Sequence, residues 1–140
     1  MNKLLFAIVL LMFFHSTSAC TCHSSSLSES YANADDVFII TVTTVTYNSE
    51  THQQQAEYDV PEILKGGTTG YGLLTSKPEF FIYGEDLQSR SSCSPDIIIA
   101  GASYAIFAEQ GQLLQVDSCR QTVRMLDHGR LLELRKLQAK

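Results

Sequence analysis

The chain has no apolar run long enough to cross a bilayer: its longest, Leu4 to Phe14, falls well short of the roughly 20 residues a spanning helix needs. It is also poor in positive charge, with 10 Lys and Arg against 15 Asp and Glu, and this acidic balance argues against nucleic acid as a partner. No H-E-x-x-H motif and no Ser-His-Asp order is present. The one glycine-rich run, Gly66-Gly67-Thr68-Thr69-Gly70, precedes no helical pattern, so it reads as a flexible connector rather than a phosphate cradle. An enzyme is therefore not expected, and no cofactor is implied. Asp35-Asp36 and Glu85-Asp86 read as capping or loop residues, and His52 and His128 lie in polar surroundings.

What is present begins with an export signal. Lys3, the apolar run and the small residues Thr17, Ser18 and Ala19 read as a signal peptide over residues 1–19, cleaved after Ala19. The expected product is a secreted or periplasmic chain of one domain, residues 20–140, that opens on Cys20-Thr21-Cys22 and so sets a free amino terminus beside two cysteines. All four cysteines, Cys20, Cys22, Cys93 and Cys119, fall in the exported part, which suits two disulfides. Cys20 and Cys22 stand about 7 Å apart in an extended chain, too far for an unstrained bridge, so each must reach Cys93 or Cys119. Either arrangement closes long loops, for which the chain-entropy account gives about 4 to 5 kcal/mol each as an upper figure.

Residues 24–34 are serine-rich and read as a loop with one helical turn. Val37 to Tyr47 is β-prone; Phe38, Ile40 and Val42 share one face before the phase slips to Val45 and Tyr47, which places a bulge near Thr43-Thr44. A polar connection over 48–55 leads to a half-buried strand in which Ala56, Tyr58 and Val60 alternate with Glu57 and Asp59, and Pro61 bends that strand or marks an edge. Phe80 to Tyr83 is a short apolar strand, and Glu85 to Pro95 a polar loop that carries Cys93. Ser103 to Glu109 and Gln112 to Asp117 flank Gln110-Gly111 and read as a hairpin.

A helix is expected over about residues 120–138, where Val123, Leu126, Leu131, Leu134 and Leu137 cluster on one face, with a kink or break near Gly129. Residues 120–140 hold six positive charges against two acids, while the rest of the exported chain is strongly acidic, so a basic helix packs on an acidic body. The fold class expected is mainly β: a five-stranded Greek-key barrel of the OB type with a C-terminal α-helix.

The chain resembles a known family at Cys20-Thr21-Cys22, Cys93 and Cys119, at Ile97-Ile98-Ile99-Ala100-Gly101, and at the strand Tyr58 to Lys65 that ends in Lys65-Gly66. Together these are similar to the N-terminal domain of tissue inhibitors of metalloproteinases, in the netrin-like, OB-fold superfamily, from Cys20 to about Cys119. The resemblance implies pairing of Cys20 with Cys93 and of Cys22 with Cys119. It also implies that the α-amine and carbonyl of Cys20 chelate the catalytic zinc of a target metalloproteinase, with Thr21 entering its specificity pocket. Cys22, His23, Ser91, Ser92 and Cys93 would complete the contact ridge. The chain differs from the family pattern at Ala32, at Ser94 and at His23-Ser24.

Three other readings attach to the same residues. A lipobox would acylate Cys20 and tether the chain to a membrane, at the cost of leaving an odd thiol; Thr17 fits the lipobox poorly. Cys20, Cys22 and His23 offer ligands to copper or zinc, against which stands the tendency of cysteines in small exported domains to pair. A non-inhibitory secreted or periplasmic protein-binding module keeps the barrel without the protease.

Overall fold

Alternation along one long strand organises the molecule. The structure, a computed structural model, describes residues 25–68, 70–77, 80–83, 86–89, 97–117 and 122–140. Strand β1 (Asp36–Asn48) sends Phe38, Ile40 and Val42 to one side and Val37 and Ile39 to the other, and all five are buried. Both faces of β1 are therefore covered, by two different cores.

Strand β2 (Gln53–Lys65) pairs antiparallel with β1 along its whole length, and β3 (Leu74–Ser76) pairs with the start of β2. Strands β4 (Phe80–Tyr83) and β5 (Asp86–Ser89) form a separate two-stranded ribbon. Strand β6 (Ser103–Ala108) returns to the other side of β1, β7 (Gln115–Val116) runs parallel to β3, and β8 (Val123–Met125) pairs antiparallel with β6. The larger sheet thus has six strands in the order β7-β3-β2-β1-β6-β8.

That sheet curls until its two ends approach. Val116 of β7 and Val123 of β8 belong to one inner core with Phe38, Ile40, Val42, Leu74, Tyr104 and Ile106. Gln115 and Asp117, at one end of the strand order, share a surface depression with Thr122, which leads into the other. The result is mainly β, a nearly closed barrel-like sheet consistent with an OB-like barrel. Each large side chain in its interior contributes about 1.5–3 kcal/mol by burial.

The outer face of β1 and β6 is covered by helices α1 (Leu27–Asn33) and α2 (His128–Gln138): Leu27, Ala34, Val37, Ile39, Leu64, Ala105, Phe107 and Leu134 form the second core. Helix α1 is short and needs its caps. Ser26 accepts from the backbone N–H of Glu29 at 3.2 Å, and the Glu29 carboxylate accepts from the backbone N–H of Ser26 at 2.8 Å. At the other end Lys65 Nζ donates to the carbonyls of Tyr31, Ala32 and Ala34, the last at 2.5 Å. Among the described residues no helix is long and apolar enough to cross a membrane.

The bulge expected near Thr43-Thr44 is present: Val42 faces Tyr58 and Thr44 faces Glu57, leaving Thr43 as the extra residue. Pro61 falls at a second register shift, where Ile39 faces Glu62 and Thr41 faces Asp59, beyond the stretch of β2 that pairs with β3. Other expectations are corrected. The six-stranded sheet and its ribbon replace the five strands expected. Half of the polar stretch 48–55 is strand, Asn48 and Gln53 to Gln55, around a turn over 49–52, and Asp86–Ser89 is strand where a loop was expected.

Gln110-Gly111 does turn the chain, with Gln112 N bonded to Glu109 O at 3.0 Å and Gly111 at φ 81°. The segment that follows does not return along β6, because β8 holds that edge; Leu114 O instead accepts from Thr75 N at 2.9 Å and leads β7 onto β3. The C-terminal helix is shorter than residues 120–138. Val123–Met125 belong to the sheet, and Asp127 caps α2 by accepting from Arg130 N at 2.8 Å, which puts Gly129 in the first turn rather than the interior.

Candidate functional site

The expected ridge of Cys20, Thr21, Cys22, His23, Ser91, Ser92 and Cys93 lies outside the described residues, as do Cys119 and residues 1–19, where a signal peptide was expected. What the structure does place is the framework from which these segments depart, and two anchors define it.

The first anchor is Arg124, the middle residue of β8, which pairs with Ala105 on the outer face of the sheet. Its guanidinium carbon stands 5.6 Å from the centroid of the Phe107 ring. From there Nη2 donates to the carbonyl of Ser25 at 2.9 Å, to Ser25 Oγ at 3.2 Å and to Ser30 Oγ at 2.8 Å. Ser25 Oγ and Ser30 Oγ are themselves 2.9 Å apart. One guanidinium thus joins the residue that follows the Cys20–Ser24 segment to the first turns of α1 and to the sheet. Burial, then the nearby Arg130, lowers the pKa of Arg124, yet an arginine remains charged across the accessible range.

A cleft of about 460 Å³ opens beside this junction, lined by Ser25 and Ser30 on one side and by Phe107, Glu109 and Thr122 on the other. Ser25 lies three residues beyond Cys22, and Thr122 lies three residues beyond Cys119. The structure therefore brings together the chain just downstream of these two cysteines.

The second anchor holds the chain that follows Cys93. Gln54, 7% exposed, accepts from Ile98 N at 2.9 Å through Oε1, while its Nε2 makes a long contact of 3.5 Å to Ile98 O. Tyr104 Oη accepts from Ile99 N at 3.0 Å, and Val42 exchanges backbone bonds with Gly101 and Ala102 at 2.8 and 3.0 Å. Ile98 is buried, whereas Ile99 beside it is half exposed. Met125, facing Tyr104 across β6 and β8, is also exposed, so apolar surface remains at this end of the barrel.

The remaining candidates have structural roles. Gly66 and Gly67 form no connector of free conformation: Gly67 N donates to Asp36 Oδ1 at 2.7 Å, and Gly66, at φ 67°, packs where a Cβ would stand 2.0 Å from that oxygen. Asp35 accepts from Gln110 N at 3.2 Å. His52 is bonded to Tyr47 Oη at 3.0 Å near the tip of the β1–β2 hairpin, and His128 begins α2. Among the described residues no group of His, Cys, Asp and Glu could hold a metal ion.

Neither anchor was evident in the sequence. Arg124 sits between Val123 and Met125 in a three-residue strand hidden by the leucines that follow at helical spacing. Gln54 lies in a run of three glutamines whose burial depends on the barrel closing over it. Comparison with protein-family models and with curated proteins gives no match.

Proposed function

We propose that the protein is an exported inhibitor of zinc metalloproteinases, similar in plan to the N-terminal domain of tissue inhibitors of metalloproteinases. The observation that carries the reading is the combination of Cys20-Thr21-Cys22 directly after a signal-like sequence with the fixing of Ser25, five residues on from Cys20, to the sheet through Arg124. The strand path supports the fold this requires. β1, β2 and β3 follow one another antiparallel and β6 returns by a long connection to lie beside β1, the spatial order of a Greek key, while β7 beside β3 carries the curl toward a closed barrel of the OB type.

The chemistry of the reading is that of a bidentate wedge. A catalytic zinc keeps one position for water, and a neutral α-amine with the carbonyl of the same residue forms a five-membered chelate that displaces it. The zinc belongs to the target, and the inhibitor carries no cofactor of its own. Thr21 is the residue presented to the specificity pocket, with Cys22, His23 and Ser91-Ser92-Cys93 flanking it. Disulfides Cys20–Cys93 and Cys22–Cys119 hold the wedge, which lowers the ordering cost of binding. The amine must be neutral to bind, and its ordinary pKa is about 7.7 to 8.0, so inhibition strengthens as pH rises through that range.

The test adds one alanine before Cys20. Mature protein is expected to inhibit a member of a metalloproteinase panel and the extended form to lose that inhibition; equal inhibition by both ends the chelation reading. A mature protein with a free terminus that inhibits nothing in the panel leaves a secreted binding module, and an acylated Cys20 in the native N-terminal peptide leaves a lipoprotein.

A further inference from the structure

One nitrogen of the Arg124 guanidinium, Nη2, reaches both serines that bracket the start of α1, at the Ser25 carbonyl, Ser25 Oγ and Ser30 Oγ. Ser30 is one of only three buried polar residues among the described ones, and Ser25 is the last described residue before the chain runs back toward Cys20. Neither the outer core nor the cap of α1 needs these bonds: the core is apolar around Leu27, Phe107 and Leu134, and the cap is closed by Ser26 and Glu29. What the bonds do fix is the position and direction of the backbone at Ser25.

We infer that Arg124 is a positioning residue for the N-terminal segment: by bonding the Ser25 carbonyl and both hydroxyls it fixes the backbone to which residues 20–24 are joined, and so pre-organises whatever Cys20 and Thr21 engage. A side chain at the middle of a strand suits this role. Arg124 is held on both sides by β8 pairing and by the Phe107 ring beneath it, so its own ordering is complete before any partner binds. The effect belongs to dissociation rather than encounter, because a loosened root leaves surface charge steering untouched while raising the ordering cost of the bound state.

Two measurements test this, and only the second rests on the inhibitory reading above. The variants are Arg124→Met, Arg124→Lys, which keeps the charge but not the fork, and Ser30→Ala, which removes one acceptor. Glu62→Gln is the remote control, since it breaks a pair between β2 and α2 far from Ser25 in sequence. Backbone ¹⁵N relaxation in the free protein is expected to show Ser25 and Ser26 falling from rigid order parameters, about 0.85, toward about 0.6 in Arg124→Met, with Arg124→Lys and Ser30→Ala between, and no change there in Glu62→Gln. Against an inhibited metalloproteinase, Arg124→Met is expected to dissociate about tenfold faster with association within about twofold of wild type. Unchanged order parameters in folded Arg124→Lys and Arg124→Met overturn the inference, as does an equal rise in dissociation rate in Glu62→Gln. Wild type that inhibits nothing, with the loosening of Ser25 still seen, overturns the inhibitory reading and upholds the positioning role.

Discussion

Tyr71 donates its phenolic hydrogen to Asp36 Oδ2 while the other oxygen of the same carboxylate accepts from Gly67 N. The Tyr71 ring also packs against Phe38 in a tilted arrangement, with centroids 5.4 Å apart, so one carboxylate at the start of β1 ties the inner core to the glycine turn after β2. Burial, then donation to Asp36, raises the pKa of the Tyr71 phenol, and the hydrogen stays on its oxygen at any ordinary pH. Tyr71→Phe keeps the ring and removes only the donor. A loss of about 1 kcal/mol is expected, read as a lower urea midpoint at unchanged slope; an unchanged midpoint would show that water replaces the phenol without loss.

The same carboxylate makes the fold acid-sensitive. Donation from Tyr71 and then from Gly67 N holds Asp36 below its ordinary value of 3.8, and the Arg135 fork holds Glu62 below 4.5. Both groups bind a proton more readily in the unfolded chain, so stability rises with pH in this window. Their contribution is complete above about pH 5 and is lost as pH falls through the lowered folded-state values. Asp36→Asn is expected to be less stable at pH 6 and to show a flatter stability curve between about pH 5 and pH 3. A curve as steep as that of wild type would place the acid sensitivity on other carboxylates.

Gly66 and Gly111 both have positive φ, 67° and 81°, but only Gly66 lacks space for a side chain. A Cβ at Gly66 would meet Asp36 Oδ1 at 2.0 Å and the Asp35 carbonyl at 2.7 Å, whereas nothing lies within 4 Å of one at Gly111. Gly111→Ala is expected to cost about 1–2 kcal/mol, the conformational term alone. Gly66→Ala adds a clash with backbone and loss of the Asp36 latch, so its melting temperature should fall well below that of Gly111→Ala. Equal melting temperatures would mean that the Asp36 carboxylate moves aside freely.

How much of this was legible depends on whether the signal was local. The bulge at Thr43 and the alternation of Ala56, Tyr58 and Val60 were readable because pleat periodicity sits in adjacent residues. Helix α1 carried a readable sign, the capping box of Ser26 and Glu29, that the surrounding serines obscured. The fate of Gln112 to Val116 was not local: Gln110-Gly111 specifies a reversal, but which strand edge is free depends on β8, residues later. Residues 123–125 were misread for the same reason, since three alternating residues followed by leucines at helical spacing fit a helix until β6 offers them a ladder. Arg124, whose bonds to Ser25 and Ser30 depend on the fold bringing residues far apart in sequence together, gave no local sign at all.

Ser25 and Thr122 line one cleft, and each lies three residues beyond a cysteine, Cys22 and Cys119 respectively. Arg124, five residues after Cys119, bonds Ser25 directly. The chain beyond Cys93 is instead held by Gln54 and Tyr104 at the barrel end where β6 begins. The resemblance to the N-terminal domain of tissue inhibitors of metalloproteinases implies Cys22–Cys119 with Cys20–Cys93, and this is the connectivity expected, read by stepwise partial reduction and alkylation followed by mass spectrometry of the N-terminal peptide. Cys20 joined to Cys119 would overturn it, and with it the arrangement that the resemblance implies for Cys20. If the expected pairs are found, replacing Cys22 and Cys119 together by serine should cost no more than replacing either alone, because each single change already opens a loop whose closure is worth about 4 to 5 kcal/mol at most.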